Sequence, residues 1–288
     1  MANTPQVRGL YHEPTATFSY VAWDPDTRQA VIVDPVLDYD GAAGRTGAAS
    51  AAALLAVVER EGLELCWILE THAHADHLSA AGYLHERTGA PVGIGVGISS
   101  VQATFSEIYN LGPQFPTDGR QFDRLFADGD RLPLGQLEIE VLATPGHTSD
   151  SVTYLIGEAA FVGDTLFSPD YGSARCDFPG GDAATLFRSV QRLYALPPET
   201  RLFLCHDYPP DAREPRCEWS VAEQRGENIH IDARTREEDF VAMRRARDAT
   251  LKMPALIIPS VQVNIRAGRL PEPEDNGTRY LRVPLDTL

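Results

Sequence analysis

The sequence predicts an α/β protein in which mixed sheets are covered by helices. Three observations point there. Short strand-like blocks alternate with longer helix-like blocks along the chain. Several strand pairs are separated only by a turn tetrad or dipeptide, which makes them antiparallel hairpins. No internal repeat or low-complexity segment interrupts this pattern.

In chain order, residues 18–23 and 29–33 are β-branched and aromatic runs joined by Asp24-Pro25-Asp26-Thr27, a turn tetrad. Asp34-Pro35 closes the second run, and residues 41–50, rich in Gly, Ala and Ser, read as a loop. Residues 51–60 form a helix ended by Glu61-Gly62. Residues 65–69 are a buried strand, and residues 78–87 have helical spacing. Residues 91–96 read as a strand and 99–109 as a helix, with 112–120 as loop; the region 97–128 is expected to cover the site. Strands follow at 136–142, 151–156 and 159–162, the last two joined by Gly157-Glu158. Helices are expected at 183–195, 221–228 and 236–251, with a strand at 202–205. After Pro254 the chain is Pro-rich and is expected to be extended and to wrap the body. The whole reads as one domain over 1–288, with a C-terminal extension from about residue 209 packed on it.

At 288 residues and 43% hydrophobic, the chain can bury a large core. A net charge of -16 with no basic run argues against nucleic acid and anionic membranes, because phosphate binding needs clustered Lys and Arg. No apolar stretch is long enough to span a bilayer, and the first ten residues lack the pattern of a secretory signal. Cys66, Cys176, Cys205 and Cys217 are scattered, with Cys66 and Cys205 in apolar runs that suggest buried thiols. That fits a reducing cytoplasm.

The chemistry centres on Thr71-His72-Ala73-His74-Ala75-Asp76-His77. Three imidazoles and a carboxylate lie where a strand ends and a helix begins, on a loop that a rigid scaffold can aim. Such a set suits a divalent transition metal; a solvated polar turn is the weaker alternative at this density. Three more segments sit at strand ends: TPGHT with His147, GDT with Asp164, and HDY with His206. Alone, a histidine after a strand is more often a hydrogen-bonded core or surface residue, and Gly-Asp is more often a turn. Beside the histidine cluster the three gain weight together.

These residues, in this order and spacing, resemble the metallo-β-lactamase superfamily over about residues 18–208. The resemblance implies an αββα sandwich of two mixed sheets flanked by helices, with the metal site at one edge between the sheets. A narrower resemblance is to the persulfide dioxygenases. It rests on TATFSY at 15–20, Asp34-Pro35-Val36, the histidine cluster, TPGHTSDSVTY at 144–154, Gly163-Asp164-Thr165-Leu166, ARCDF at 174–178, HDY at 206–208 and the tail 259–268 with Val263-Asn264-Ile265-Arg266. Those enzymes oxidise glutathione persulfide with O2 to sulfite and glutathione at one iron(II). Their sister family, glyoxalase II, hydrolyses thioesters with two metals.

The dioxygenase resemblance implies one Fe(II) per chain on His72, His147 and Asp164, with open positions for O2 and a sulfur ligand. His74, Asp76, His77 and His206 would then orient ligands and water, with Asp76, His77 and Tyr208 assisting catalysis. The alternative is a dinuclear hydrolase of a thioester or lactone, with zinc or iron. It would use His72, His74, His147 and Asp164 for one metal and Asp76, His77, Asp164 and His206 for the other. The histidines permit both; ARCDF, HDY and the tail favour the dioxygenase. The alternative cofactor to the single Fe(II) is Zn, one or two per chain. Arg175 matches an arginine that holds a glutathione carboxylate, against a surface salt bridge as the ordinary reading. Thr148 is a weaker substrate candidate. Tyr208 could donate to a sulfur ligand or water, or simply pack. Departures at Ser173, at the longer 168–171 loop, in the 97–124 cover and at 211–219 leave the thiol carrier open between glutathione, coenzyme A and other small thiols. The expected partners are a thiol persulfide and O2, without nucleic acid or membrane, and a homodimer is implied by the resemblance alone.

Overall fold

Two six-stranded sheets face each other, and the two-residue alternation of side chains along each strand sets the layers. A computed structural model describes residues 4–209 and 213–287; Asp211 and Ala212, at the start of the divergent 211–219 stretch, lie outside the described residues.

The first sheet runs Gln6–His12, Thr17–Trp23, Gln29–Val33, Glu64–Leu69, Val92–Gly95, Arg124–Phe126. Its first three strands are antiparallel and the rest join in parallel. The parallel steps need crossovers, and helices α1 (Ala49–Arg60), α2 (Ala81–Thr88) and α3 (Ile98–Ile108) lie in them. The second sheet runs Arg131–Leu134, Leu137–Ala143, Val152–Ile156, Ala159–Phe161, Arg201–Phe203, Glu218–Ser220. Its single parallel step, Ala159–Phe161 beside Arg201–Phe203, is bridged by α4 (Ala183–Tyr194). Three helices follow: α5 (Val221–Glu227), α6 (Glu237–Asp248) and α7 (Ile257–Asn264).

Alternation explains the three cores. Tyr20, Ala22, Val31 and Val33 point inward to meet Tyr154, Ile156, Phe161 and Phe203 of the second sheet. Their neighbours Val21, Trp23, Ala30 and Ile32 point outward, against Leu54, Leu84, Val101 and α7's Val261. On the far side, Ala160 and Leu202 pack against Leu186, Val190 and α6's Phe240. The layers are helix, sheet, sheet, helix, as the resemblance implies.

Several expectations change. Residues 78–87 begin as a short strand, Leu78–Ser79, which pairs with Val36–Asp40; the helix starts only at Ala81. Part of the expected 41–50 loop, Arg45–Gly47, forms a strand on the other edge of Val36–Asp40. The tail is not wholly extended: α7 inserts Val261 and Val263 into the first core. Pro259 is compatible with this helix because it lies in the first helical turn, where its missing N–H has no intrahelical acceptor to lose. Cys66 is only half-buried; Cys205 is buried, and all four thiols are free. No described helix is long and apolar enough to cross a membrane.

Candidate metal centre

The histidines gather where strands from both sheets end. His72, His74 and His77 follow Glu64–Leu69 of the first sheet. His147, Asp164 and His206 follow Leu137–Ala143, Ala159–Phe161 and Arg201–Phe203 of the second. Gly163 allows the approach: at φ +53° it adopts a left-handed backbone, and a Cβ there would lie 2.5 Å from Thr71 Oγ1.

Four of the five imidazoles, all but His77, are anchored on one nitrogen and present the other. His72 Nδ1 pairs with Thr71 Oγ1 at 3.0 Å, and that hydroxyl also meets Asp34 Oδ2 at 2.9 Å. His147 Nδ1 meets the Arg175 carbonyl at 2.8 Å. His206 Nδ1 lies 3.2 Å from the Ala16 carbonyl and 3.3 Å from Thr17 Oγ1. His74 is turned the other way, with Nε2 held by Asp34 Oδ1 at 3.0 Å and by Glu70. The opposite nitrogens of His72, His74 and His206, both nitrogens of His77, and Asp164 Oδ1 are buried with no hydrogen-bond partner. Buried polar atoms are rarely left so, and a cluster of nitrogen and carboxylate donors aimed at each other fits a metal.

The distances divide the donors into sets. His72, His147 and Asp164 bring one ligand atom each within 4.8 Å of one another. Asp164 Oδ2 lies 3.9 Å from His72 Nε2 and 3.6 Å from His147 Nε2. His74, Asp76, His77 and His206 form a second set by the same measure. His206 Nε2 stands between the sets, 3.2 Å from Asp76 Oδ2 and 3.4 Å from Asp164 Oδ1.

Electrostatics reflects this crowding. Burial, then the neighbouring histidines, holds His72 well below its ordinary value and keeps it neutral, as ligation requires. Burial also dominates at His77, which falls to about 4. Burial would lower His74 too, but the Asp34 carboxylate and then Glu70 override it and raise it. Asp76 overcomes burial through His206 and His77 and stays ionised.

Three buried carboxylates that the motif reading left without a role hold the metal loop. Asp34 accepts from the Thr71 N–H at 2.7 Å, and Asp150 from the Ala73 N–H at 2.8 Å. Glu70 takes the Ser79 hydroxyl in a short hydrogen bond. From the tail, Asn264 Nδ2 donates to the carbonyls of His74 and His77 at 2.7 and 2.8 Å, while its Oδ1 accepts from Ser79 N–H at 2.8 Å.

The family model for the metallo-beta-lactamase superfamily matches residues 12–206, which include every candidate metal ligand, His72 to His206. The chain belongs to the metallo-beta-lactamase superfamily. Within it, a probable metallo-hydrolase of Burkholderia pseudomallei is 53% identical over 98% of this chain and 99% of its own. Glyoxylase B2 of Dictyostelium discoideum is 47% identical over 100% and 99%. The human mitochondrial persulfide dioxygenase ETHE1 is 32% identical over 70% of this chain and 68% of its own. Among solved structures, ETHE1 from Myxococcus xanthus superposes with a TM-score of 0.72 at 33% identity, over 92% of this chain and 100% of that one. The chain spans 66% of the length of a beta-lactamase hydrolase-like protein of Xylella fastidiosa, to which it is 52% identical.

As in a superfamily enzyme, the centre opens on a cavity, here of about 550 Å³. His147, Asp164 and Asp76 reach it, with Phe167, Phe178, Leu251 and Leu256 as apolar walls. Tyr208 lines it too, its ring stacked on His206 at 5.7 Å and close to Tyr171 at 4.7 Å. Burial, then the charges of Asp76 and Asp164, pushes its phenol far up, so the hydroxyl keeps its proton.

The two expected substrate residues are placed differently from one another. Arg175 lines the cavity, but its fork is taken: Nε and Nη2 grip Asp177 at 2.6 and 2.7 Å, and Nη1 donates to the Lys252 carbonyl at 2.7 Å. Thr148 is not among the lining residues; its hydroxyl pairs with Ser151 Oγ at 2.6 Å. The cations that line the cavity without a side-chain partner among the described residues are Arg247 and Lys252. The expected 97–124 cover contributes nothing to the lining: α3 packs into the first core, and Gln102 bonds the Ile265 carbonyl instead. The cover comes from residues 13–16 and from the stretch after α6.

Proposed function

We propose that this chain is an iron(II) persulfide dioxygenase, acting on glutathione persulfide or a related small-thiol persulfide. The overall reaction consumes one O2 and one water per persulfide and returns sulfite and the thiol. The observation that carries this reading is the His72, His147 and Asp164 set, two members of which open on the cavity. Two imidazoles and one carboxylate on one face are the donor set of non-haem iron oxygenases, and bound iron would supply adjoining positions for the persulfide sulfur and O2. The ETHE1 relatives support the same reading.

The chain's own residues would do the rest. Tyr208, protonated and without a hydrogen-bond partner among the described residues, can donate to sulfur or to a water above the site. The buried Phe167 and Phe178 would form an apolar wall beside the site. Arg247 and Lys252 are placed to hold the carboxylates of a glutathione-like carrier, the role the sequence reading gave to Arg175.

The second reading is a dinuclear thioester hydrolase. It is favoured by the second donor set, His74, Asp76, His77 and His206, and by the glyoxylase B2 relative. Elemental analysis of anaerobically purified protein, with O2 uptake on glutathione persulfide, separates them. We expect about one iron per chain and persulfide-dependent O2 consumption. Two zinc ions per chain with oxygen-independent cleavage of S-lactoylglutathione would establish the hydrolase instead.

A further inference from the structure

Residues 166–182, between the short turn at Asp164 and α4, have no regular secondary structure. A stretch of that length inside a packed protein needs external support or a function. In this chain it carries the Arg175 carbonyl, the acceptor that fixes His147 Nδ1 at 2.8 Å and so aims Nε2 at the centre. Its support comes from the C-terminal segment, beyond the 12–206 span of the family match. Asn228 Nδ2 donates to the Gly172 carbonyl at 3.1 Å, and His230 Nδ1 accepts the Ser173 N–H at 3.0 Å. The last turn of α6 supplies the rest. Arg244 Nη1 donates to the Ser173 carbonyl at 3.0 Å, and Asp248 Oδ2 accepts the Cys176 N–H at 2.9 Å.

Arg244 and Asp248 are themselves a pair, one turn apart on α6. Arg244 Nε and Nη2 contact Asp248 Oδ1 at 2.8 and 2.6 Å, and the two residues are 1% and 5% exposed. A buried ion pair gains little over an apolar replacement, because desolvation offsets the attraction. What the pair does have is direction. Its remaining donor and acceptor grip the backbone on either side of Arg175, at residues 173 and 176. We propose that Arg244 and Asp248 are positioning residues for the metal centre: they fix the Arg175 carbonyl and, through it, the tautomer and aim of His147. The proposal rests on His147 being a ligand. Partners that orient a ligating histidine typically govern metal affinity by about 10- to 100-fold.

The test uses the full chain, stripped of metal and titrated with Co(II), whose visible spectrum reports both affinity and ligand geometry. Asp248→Leu removes the acceptor for Cys176; Asp248→Asn keeps an oxygen there. We expect the Leu variant to bind Co(II) about 10- to 100-fold more weakly with an altered spectrum, and the Asn variant, which keeps the acceptor for Cys176 but not the one for Arg244, to be weakened less than the Leu variant. Circular dichroism of the metal-free proteins separates this from unfolding. Should the Leu variant fail to fold, Arg244→Lys keeps the charge but loses the fork, and about tenfold weaker binding is expected. Parent-like affinity and spectrum in a folded Asp248→Leu, or in Arg244→Lys, would overturn the proposal. A parent chain that does not bind Co(II) would instead overturn the ligand assignment.

Discussion

Arg247 and Lys252 have no side-chain partner among the described residues, yet both face the cavity of a chain whose net charge is -16. An anionic carrier approaching such a molecule depends on its local cations. Replacing either with Ala should raise KM about three- to tenfold with little change in kcat, the pattern of lost uniform binding to a partly exposed charge. Steady-state kinetics on glutathione persulfide would read this out, and an unchanged KM in the double variant would assign the carboxylates elsewhere. His230 gives a residue-level pH prediction. Burial, then the Arg244 and Arg247 cations, lowers it to about 4 from an ordinary 6.5. Between those values the unfolded chain takes up a proton that the folded chain refuses, so this residue's contribution is full above 6.5 and is lost as pH falls towards 4. The melting temperature of a His230→Asn variant should therefore decline less steeply than the parent's over that window. Parallel melting curves across the window would show that His230 does not titrate this way.

Among the elements, α7 does more than fill the first core. Its Asn264 ties the carbonyls of His74 and His77 to the Ser79 N–H, closing the metal loop from outside. Asn264→Leu, similar in size, strands three buried backbone groups. Each such group costs about 1–3 kcal/mol. A drop in melting temperature of about ten degrees or more, with metal lost on dialysis, is the expected result; a parent-like melt and metal content would show the tie to be dispensable. This helix was hidden in the sequence by Pro254 and Pro259, although the second lies harmlessly in its first turn. Elements with their own signal were legible: Gln29–Val33 from its apolar run, α4 from its stripe of Leu186, Val190 and Leu193. Those that exist only through a partner were not. Leu78–Ser79 is two residues long, and Arg45–Gly47 is polar and exposed. The same division holds at the centre. His72, His147 and Asp164 stood in motifs at strand ends, whereas the roles of Glu70 and Asp150 come from the buried hydrogen bonds they accept from Ser79 and Ala73, which only the fold brings about. In the sequence Arg247 is one of several charges within the expected 236–251 helix, with nothing local to mark it.

At the scale of the molecule, the family-matched span ends at residue 206, yet the stretch beyond it packs into both outer cores through Phe240 and Val261 and lines the cavity. A chain truncated after residue 208 should therefore lack a cooperative thermal transition. A sharp melt with retained metal would mark the C-terminal part as a separable appendage.

The placement of α6 bears on how such a protein could be altered. Arg244 and Asp248 grip the backbone on either side of Arg175, while Arg247, between them, faces the cavity. If the proposed roles hold, chimeras that borrow this helix from a relative to change the preferred thiol would exchange the support of His147 in the same stroke. Selectivity and metal retention should then drift together, and a successful graft would have to carry the 166–182 stretch along with the helix.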